Sequence, residues 1–139
     1  QGYEGTVKEI MIFTTTLVTV DNKVITIPNG GLSASSVINY SKMEDRRIDV
    51  KFKLAHGADI SQTNPRLIEI AKQDKRIFTT PEPTVIVSIT DLAIDVDLRF
   101  WCKNSDYWNI MGDIHTEVYN YLVKENIPLP KFSLRPLAI

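Results

Sequence analysis

The sequence is poor in the residues that most often carry metal, redox or nucleophilic chemistry. It contains one cysteine, Cys102, and two histidines among its 139 residues. A single cysteine cannot form an internal disulfide and is typical of a protein from a reducing compartment. His56 and His115 belong to different predicted elements, and neither has a cysteine or carboxylate nearby at metal-ligand spacing. We therefore predict no metal site and no bound cofactor.

A dominant charge and a long apolar run are also absent. Sixteen Lys and Arg against seventeen Asp and Glu give a formal net charge of −1. That balance disfavours nucleic acid as the main partner, because phosphate binding needs a basic surface. No apolar stretch approaches the roughly 18 residues of a membrane helix, and the first residues lack the basic start and apolar run of a signal peptide. The printed chain is expected to be soluble, and its strand-like start suggests a piece of a longer protein.

What the sequence does contain is the alternation of apolar and polar residues that is typical of strands. Asp21-Asn22 is the kind of two-residue turn that tolerates positive φ and closes a tight hairpin. In that register Val18 lies opposite Ile25. Four apolar side chains then share one face that we expect to be buried, namely Val18, Val20, Ile25 and Ile27.

Further short strands are predicted on either side of this hairpin. Residues 6–13 indicate a strand bent near Glu9, and Ser36–Ser41 indicates another. Pro28 ends the hairpin ladder because it lacks an N–H, and Asn29-Gly30-Gly31 is predicted as a sharp turn. Four or five short strands predict a small β barrel or sandwich over residues 1–45.

The pattern changes near Arg47, where longer strands and helices begin. The predicted order is β-α-β-β-α-β, the split βαβ or ferredoxin-like arrangement, over residues 46–139. The predicted strands cover residues 47–54, 85–89 and 93–103, and a final extended segment covers 132–139. The first predicted helix is capped by Asn64 and ends near Gln73. The second begins at the capping sequence Asn104-Ser105-Asp106 and ends at Asn126.

No catalytic constellation emerges, so the sequence predicts that the protein is not an enzyme. Cys102 and His115 fit a core thiol and an ordinary helix histidine. Asp91, Asp95 and Asp97 look like a carboxylate cluster, but Asp95 and Asp97 alternate on an exposed strand face close to Arg99, which favours a salt-bridged surface. Asn-Gly-Gly at 29–31 lacks the GxxxxGK[ST] pattern of a phosphate loop, and no helix is predicted after it. Trp101 and Trp108 are candidates for packing or an interface.

Taken in order, several segments resemble the small-conductance mechanosensitive channel family. In the first half they are Gly5-Thr6-Val7, Ile12-Phe13-Thr14-Thr15, Asp21-Asn22-Lys23, Ile27-Pro28-Asn29-Gly30 and Ile38-Asn39-Tyr40-Ser41. In the second half they are Asp59-Ile60, Asp74-Lys75-Arg76-Ile77, Arg99-Phe100-Trp101 and Ile127 to Pro130. The Ile-Pro-Asn-Gly segment is the most specific, and the resemblance covers essentially the whole chain.

The resemblance implies an α+β protein with an Sm-like β domain over residues 1–45 and a ferredoxin-like domain over 46–139. It implies the cytoplasmic part of a tension-gated channel of the cell (inner) membrane, which releases ions and small solutes on hypo-osmotic shock. The implied partners are other copies in a homo-oligomer, expected to be a sevenfold ring with a hollow cage, and membrane helices that precede Gln1 in the full-length chain.

The resemblance also supplies the candidate site. The turn of Pro28, Asn29 and Gly30 corresponds to one that lies close beneath the pore-lining helix, so Asn29 is the candidate for carrying gate movement into the cage. Because an exposed turn contributes little to a core, we expect Asn29→Ala to alter opening or inactivation and to leave stability nearly unchanged.

Three departures from the family pattern bear on these expectations. Pro65 interrupts a helix that is usually continuous, and Asn126 replaces a helix-ending glycine. In the tail, Phe132, Ser133 and Pro136 differ from the residues that are common in the family. The sequence therefore does not decide whether the tail forms the family's C-terminal strand barrel.

Two alternative functions are compatible with the predicted domains. An Sm-like ring that binds nucleic acid would require a basic patch on the folded surface. A ferredoxin-like regulator that senses a small molecule, or an enzyme, would require a deep polar pocket.

Overall fold

The first unit of the chain is an antiparallel sheet built from two consecutive hairpins. The computed structural model describes residues 2–131 and divides into two compact units between Tyr40 and Ser41. The first unit contains β1 (Thr6–Ile10), β2 (Thr14–Val18), β3 (Val24–Pro28) and the one-turn helix α1 (Asn29–Ser33). The strand order is β1-β2-β3. The β1–β2 register shifts between Val7 and Glu9, where the sequence predicts a bend.

The β2–β3 hairpin differs by one residue from the predicted register. Val18 lies opposite Val24 and not opposite Ile25. The loop therefore holds the three residues 20–22, and the last of them, Asn22, has a φ of 65°. Three-residue hairpin loops commonly end in a left-handed residue, and asparagine tolerates that conformation better than most. The turn residue was identified correctly, but the predicted loop length was wrong.

A shift of one residue exchanges the two faces of a strand, so the predicted buried set is wrong as well. Val20 falls in the loop and is fully exposed. Ile27 is buried at 7% exposure, and Ile25 lies on the same face, opposite Leu17. Val18 lies on the other face with Val24. The apolar face of this sheet is therefore formed by odd-numbered residues of both strands.

Two further expectations for the first unit are corrected. Asn29-Gly30-Gly31 opens helix α1, in which Ala34 N–H donates to the Gly30 carbonyl at 3.2 Å. Residues 36–41 form no strand in the described part of the chain. Strand preference depends on a neighbouring strand with which to pair, and the sheet that the structure describes ends at β1 and β3.

The second unit has the predicted split βαβ topology. Its elements are β4 (Asp45–Leu54), α2 (Ile60–Gln73), β5 (Thr84–Ile89), β6 (Ile94–Lys103), a 3₁₀ turn (Asn104–Asp106) and α3 (Tyr107–Lys124). The strand order is β4-β6-β5, and both pairs are antiparallel. Parallel strands β4 and β5 thus enclose β6, which confirms the predicted α+β class. The predicted final segment over 132–139 lies outside the described residues.

One face of this sheet and the two helices enclose the main core. Apolar and polar residues alternate along β4 and β6, and every second side chain of β6 is buried. The buried residues of α3 recur every three or four positions along one side of the helix. The buried side chains of this core are Ile48, Val50, Leu54, Leu67, Ala71, Ile77, Ile94, Val96, Leu98, Phe100, Cys102, Ile110, Ile114, Val118, Tyr121 and Leu122.

Helix α2 begins earlier than predicted. Asp59 is the N-cap, and its carboxylate accepts from Gln62 N–H at 3.2 Å, so Asn64 is an interior residue and not the cap. The predicted interruption at Pro65 is wrong, because Pro65 lies within a continuous helix. The helix ends at Gln73, as predicted. The Asp59 cap and burial of one helix face stabilise the first turns despite the N–H that proline lacks.

Among residues 2–131, no helix is both long and apolar enough to cross a lipid bilayer.

Candidate functional site: the Asn29 turn

The Asn29 turn sits where β3 ends and the β1–β2 loop approaches it. Pro28 is the last residue of β3, pairs with Thr14 and adopts an extended conformation as the N-cap of α1. Asn29 N–H then donates to the Phe13 carbonyl at 2.8 Å. Pro28 ends the β2–β3 ladder, and the Asn29 N–H bonds to the β1–β2 loop. Together they place the start of α1 against that loop.

The Asn29 side chain is fully engaged within its own unit. Its Oδ1 accepts a hydrogen bond of 2.6 Å from the Thr15 hydroxyl. Its Nδ2 donates to the carbonyls of Met11 at 2.8 Å and Ile12 at 3.1 Å. Thr15 is buried, with 6% exposure. The expectation that this asparagine sits in a turn of little structural weight is therefore wrong, because its amide connects three segments.

The loop that Asn29 holds presents apolar side chains to solvent. Ile12 is 87% exposed and Phe13 is 81% exposed, and their neighbours Ile10 and Met11 are exposed as well. Four consecutive exposed apolar residues are unusual on a soluble surface and are typical of interaction sites. We name residues 10–13 the apolar tip. Sequence reasoning noted Ile12-Phe13 only as part of a resemblance and missed this contact to Asn29.

Pro28 and Gly30, the other predicted site residues, play different parts. Pro28 is exposed. A Cβ on Gly30 would meet nothing within 4 Å, and its φ is not in the left-handed region. Neither the backbone nor the packing of this unit therefore requires glycine at position 30.

Cys102 and His115, which the sequence suggests are a core thiol and an ordinary helix histidine, both lie in the second unit. Cys102 is buried in the second unit, and burial raises the pKa of its thiol, which disfavours a nucleophilic thiolate. His115 Nδ1 lies 2.7 Å from the Met111 carbonyl, within its own helix. In residues 2–131 no three His, Cys, Asp or Glu side chains cluster to hold a metal ion.

The open face of the second sheet is a ladder of opposite charges, as predicted. Lys53 Nζ lies 2.8 Å from Asp95, and Arg99 Nε lies 3.0 Å from Asp97. Such partly exposed pairs add little stability but hold both signs of charge in fixed positions. The face carries no dominant charge, so it is unlike the basic surface that phosphate binding needs.

Two family models match this chain, one after the other along the sequence. Residues 1–42 match the family model described as "Mechanosensitive ion channel, beta-domain", and residues 48–129 match "Mechanosensitive ion channel MscS, C-terminal". The two matches follow in this order and cover most of the chain, which defines the class as mechanosensitive ion channels.

Sequence relatives narrow the class to one family. The chain is 37% identical over 132 residues to the small-conductance mechanosensitive channel of Edwardsiella ictaluri, covering 93% of this chain and 46% of that protein. It is 31% identical over 130 residues to an uncharacterized MscS family protein of Synechocystis, covering 93% of this chain and 44% of that protein. The chain belongs to the MscS family of mechanosensitive channels. It spans less than half the length of these curated relatives.

Solved structures share the fold. The closed-state crystal structure of Helicobacter pylori MscS has a TM-score of 0.79 at 23% identity, covering 99% of this chain and 56% of that chain. The cryo-EM structure of wild-type Arabidopsis MSL1 has a TM-score of 0.74 at 19% identity, covering 92% of this chain and 47% of that chain. Fold is thus retained at identities too low to carry residue roles.

Proposed function

We propose that this chain is the cytoplasmic assembly and cage region of a tension-gated channel in the cell (inner) membrane. The full-length protein would open when the membrane is stretched and release ions and small solutes after hypo-osmotic shock. The observation that carries the proposal is the ordered match of both units to mechanosensitive-channel domains. The mixed charge of the open sheet face fits a wall along a solution path, where local potential biases which ions pass.

The proposed partners include further copies of the same chain, in a sevenfold ring. The first unit supports assembly because it cannot cover its own apolar surface: Ile27 is its one buried apolar side chain among the described residues, whereas Val7, Val24, Val37 and Ile38 are each more than half exposed. Among the described residues, no further strand pairs with the outer edges of β1 and β3, so these edges could pair with another chain. A closed ring would cover these surfaces.

The Asn29 turn is proposed as the link to the membrane helices of the same full-length chain. Because the Asn29 amide is engaged by Thr15, Met11 and Ile12, it would act as a positioning residue. The apolar tip, together with exposed Pro28 and Gly30, would make the contact. Movement of the pore helix would then reach the sheet through the tip and the hydrogen bonds that hold it.

The deciding experiment is patch-clamp recording of the full-length protein in liposomes under suction. We expect conductance that rises with membrane tension. Lack of pressure-dependent conductance, with assembled protein shown to be present, would reject the channel function. Counting subunits on the detergent-solubilised full-length protein tests the ring, and a stable dimer or trimer would reject it.

Matched variants test the proposed link. Phe13→Ser and Ile12→Ser remove apolar contact from the tip, and we expect each to shift the opening threshold or the rate of inactivation. Val20→Ser changes an equally exposed residue of the other hairpin loop and serves as the control. An unchanged threshold and inactivation rate in both tip variants would remove the tip from the gating path.

A further inference from the structure

Asn29 is followed by glycine, which is the neighbour that most favours loss of an asparagine side-chain amide. No other asparagine of the sequence precedes a glycine. Deamidation begins when the backbone nitrogen of the following residue attacks the side-chain amide carbon. Glycine has no Cβ to hinder that approach and adopts the required backbone conformation more freely than other residues. The Asn29 turn therefore carries a chemical reactivity of its own, separate from its contacts.

Water is the co-reactant of this reaction. Once hydroxide has removed the proton of the Gly30 N–H, the nitrogen bonds to Asn29 Cγ, the Cγ–Nδ2 bond breaks and ammonia leaves. Water then opens the resulting succinimide ring. Cleavage between Cγ and the Gly30 nitrogen gives aspartate, whereas cleavage at the main-chain carbonyl of residue 29 gives isoaspartate, whose backbone runs through Cγ. One water is taken up and one ammonia released, and a carboxyl group replaces the amide.

The folded first unit opposes the reaction at both reacting groups. Asn29 and Gly30 lie in α1, and the ring closes only at a backbone ψ that helices do not adopt. The carboxamide is held as well, because Oδ1 accepts from Thr15 at 2.6 Å and Nδ2 donates to the Met11 and Ile12 carbonyls at 2.8 and 3.1 Å. Turning Cγ toward the Gly30 nitrogen would break these hydrogen bonds and leave the buried Thr15 hydroxyl unpaired.

This protection lasts as long as the first unit stays closed. Among its described residues, Ile27 and Thr15 are the buried side chains, so this unit opens at a lower cost than the second unit does. A reaction that takes place only in the open form proceeds in proportion to the population of that form. The extent of deamidation at Asn29 would therefore record how long the first unit has been open.

The products cannot make the hydrogen bonds that hold the apolar tip. Aspartate and isoaspartate have no side-chain N–H, so a carboxylate would face the Met11 and Ile12 carbonyls that now accept from Nδ2. Isoaspartate also lengthens the main chain by a methylene group next to the Asn29 N–H, which donates to the Phe13 carbonyl at 2.8 Å. Helix α1 has one turn, so its N-terminus compensates the new charge only weakly. Both products favour the open form.

We propose that Asn29-Gly30 is a deamidation site that the closed first unit keeps unreactive, and that opening of the unit converts it and releases the apolar tip permanently. The chemistry depends on the contacts of Asn29 alone. Its consequence for gating rests on the proposed function, in which the tip contacts the membrane helices. Modification would then disconnect the tip from the sheet in chains whose first unit has opened.

Peptide mapping by mass spectrometry of the full-length protein tests the site. Deamidation changes the mass of the peptide that contains residue 29, and an isoaspartyl methyltransferase labels the isoaspartate. At mildly alkaline pH, we expect Asn29 to convert at least about tenfold more slowly in the folded protein than in denaturant, because opening breaks three hydrogen bonds. Equal rates in the two conditions, or no conversion of Asn29 in denaturant, would overturn the proposal.

Matched variants separate protection by the fold from reactivity of the sequence. Thr15→Val removes the hydroxyl that holds Oδ1, so Asn29 should convert roughly fivefold faster in the folded protein and at an unchanged rate in denaturant. Thr26→Val, at an exposed position of β3, is the control and should change neither rate. Equal conversion of Asn29 in the two folded variants would contradict protection by the Thr15 hydrogen bond.

Gly30→Ala tests the reactivity itself. Its side chain would meet nothing within 4 Å in the folded unit, so the fold accommodates it. In denaturant, the added Cβ hinders the attacking nitrogen, and we expect conversion of Asn29 to fall to the level of the other asparagines. Conversion as fast as in the natural protein would show that the Gly30 nitrogen is not the attacking group.

Asn29→Asp tests the consequence, because it introduces one of the two products directly. We expect the amides of residues 6–33 to exchange roughly fivefold faster than in Asn29→Ala, which loses the same hydrogen bonds but places no charge opposite the two carbonyls. Exchange no faster than in Asn29→Ala would overturn release of the tip. None of these measurements uses conductance, so their failure would leave the channel function in place.

Discussion

At the residue scale, the side chain of Asn29 determines how the first unit presents its surface. Its carboxamide accepts from Thr15 and donates to two carbonyls of the β1–β2 loop, so it acts in three hydrogen bonds at once. The loop it holds has four consecutive exposed apolar side chains. A polar residue is favoured here because the hydroxyl of buried Thr15 would otherwise lose its partner. The proposed gating role of the turn thus depends on a structural role.

The first prediction follows from these hydrogen bonds. Asn29→Ala removes three of them and leaves the Thr15 hydroxyl unpaired, so we expect it to destabilise the first unit by about 1–3 kcal/mol. Hydrogen exchange of residues 6–33, measured by mass spectrometry, should become faster. Gly30→Ala is the neighbouring control and should be neutral, because its side chain would enter open space. Equal exchange in the two variants would contradict the role of the Asn29 amide.

The second prediction concerns acid stability of the second unit. Asp74 ends α2, and Arg76, which also reaches Asp113, donates to both of its carboxylate oxygens. These hydrogen bonds hold the pKa of the Asp74 carboxyl below its ordinary value, although burial opposes them. The unfolded chain therefore binds a proton at this site more readily than the folded chain does. The resulting stability is present above about pH 4 and is lost as the pH falls through the folded-state pKa.

Asp74→Asn tests this linkage. We expect a lower urea midpoint than that of the natural chain at neutral pH, and a difference that shrinks progressively below about pH 4. Tryptophan fluorescence is a suitable signal, because Trp101 and Trp108 both belong to the second unit. Asp91→Asn, at an exposed turn, is the control. A difference that stays constant down to about pH 2 would mean that the Asp74 charge is not the cause.

At the element scale, the β2–β3 hairpin shows how a loop decides which face of a strand is buried. An Asp-Asn pair is compatible with a loop of two or three residues. Both faces of β2 and β3 carry apolar side chains, so the sequence pattern fits either register. The left-handed φ of Asn22 closes the three-residue loop. The register then follows, because each strand can pair in only one way once its loop is set.

The third prediction separates the two registers. Ile27→Ala removes a buried side chain, and we expect a loss of about 2–4 kcal/mol in the stability of the first unit. Val20→Ala changes a fully exposed loop residue and should stay within about 0.5 kcal/mol of the natural chain. Hydrogen exchange of β2 and β3 is the measurement. Similar losses in both variants would support the two-residue loop after all.

At the scale of the whole molecule, the two units differ in the size of their hydrophobic cores. In the described residues, the first unit buries Ile27 and Thr15, whereas the second buries at least seventeen side chains around one sheet and two helices. Hydrophobic burial is the main stabilising term in folding, so the first unit has the smaller stability of its own. In a ring, partners that bind only the folded form would raise that stability.

The fourth prediction compares the assembled and the separated chain. In the separated 139-residue chain, we expect amides of β1–β3 to exchange much faster than those of β4 and β6, because the smaller core opens more readily. In the assembled full-length protein, the amides of the first unit should be protected. Amides of β1–β3 that exchange as slowly as those of β6 in the separated chain would show that this unit needs no partner.

Much of the second unit could be predicted because its patterns are long. Alternation over ten residues in β4 and β6, and a stripe over five turns in α3, leave one arrangement that buries the apolar faces. The start of α2 was misplaced because Pro65 suggested a helix start, whereas the cap at Asp59 and tertiary burial of Thr63 and Leu67 override that local signal. The predicted cap at Asn64 was therefore wrong.

The candidate site was proposed from a resemblance, and the sequence did not explain its contacts. The Ile-Pro-Asn-Gly segment pointed to Asn29 through a resemblance, and nothing in the spacing indicated that its amide reaches residues 11, 12 and 15. Hydrogen bonds between segments that are 14 to 18 residues apart leave no periodic signal in a sequence.

By itself, the sequence determined the α+β class, the order of the described strands and helices of the second unit and the buried faces of its sheet. Each of these depends on the period of apolar residues or on residue counts, which local physics converts directly into structure. Tertiary structure alone decided the register of the first sheet, the contacts of Asn29 and the exposure of the apolar tip. Those features depend on which distant backbone and side-chain groups meet, because a polar group is satisfied, and an apolar face is covered, only by what lies next to it in space.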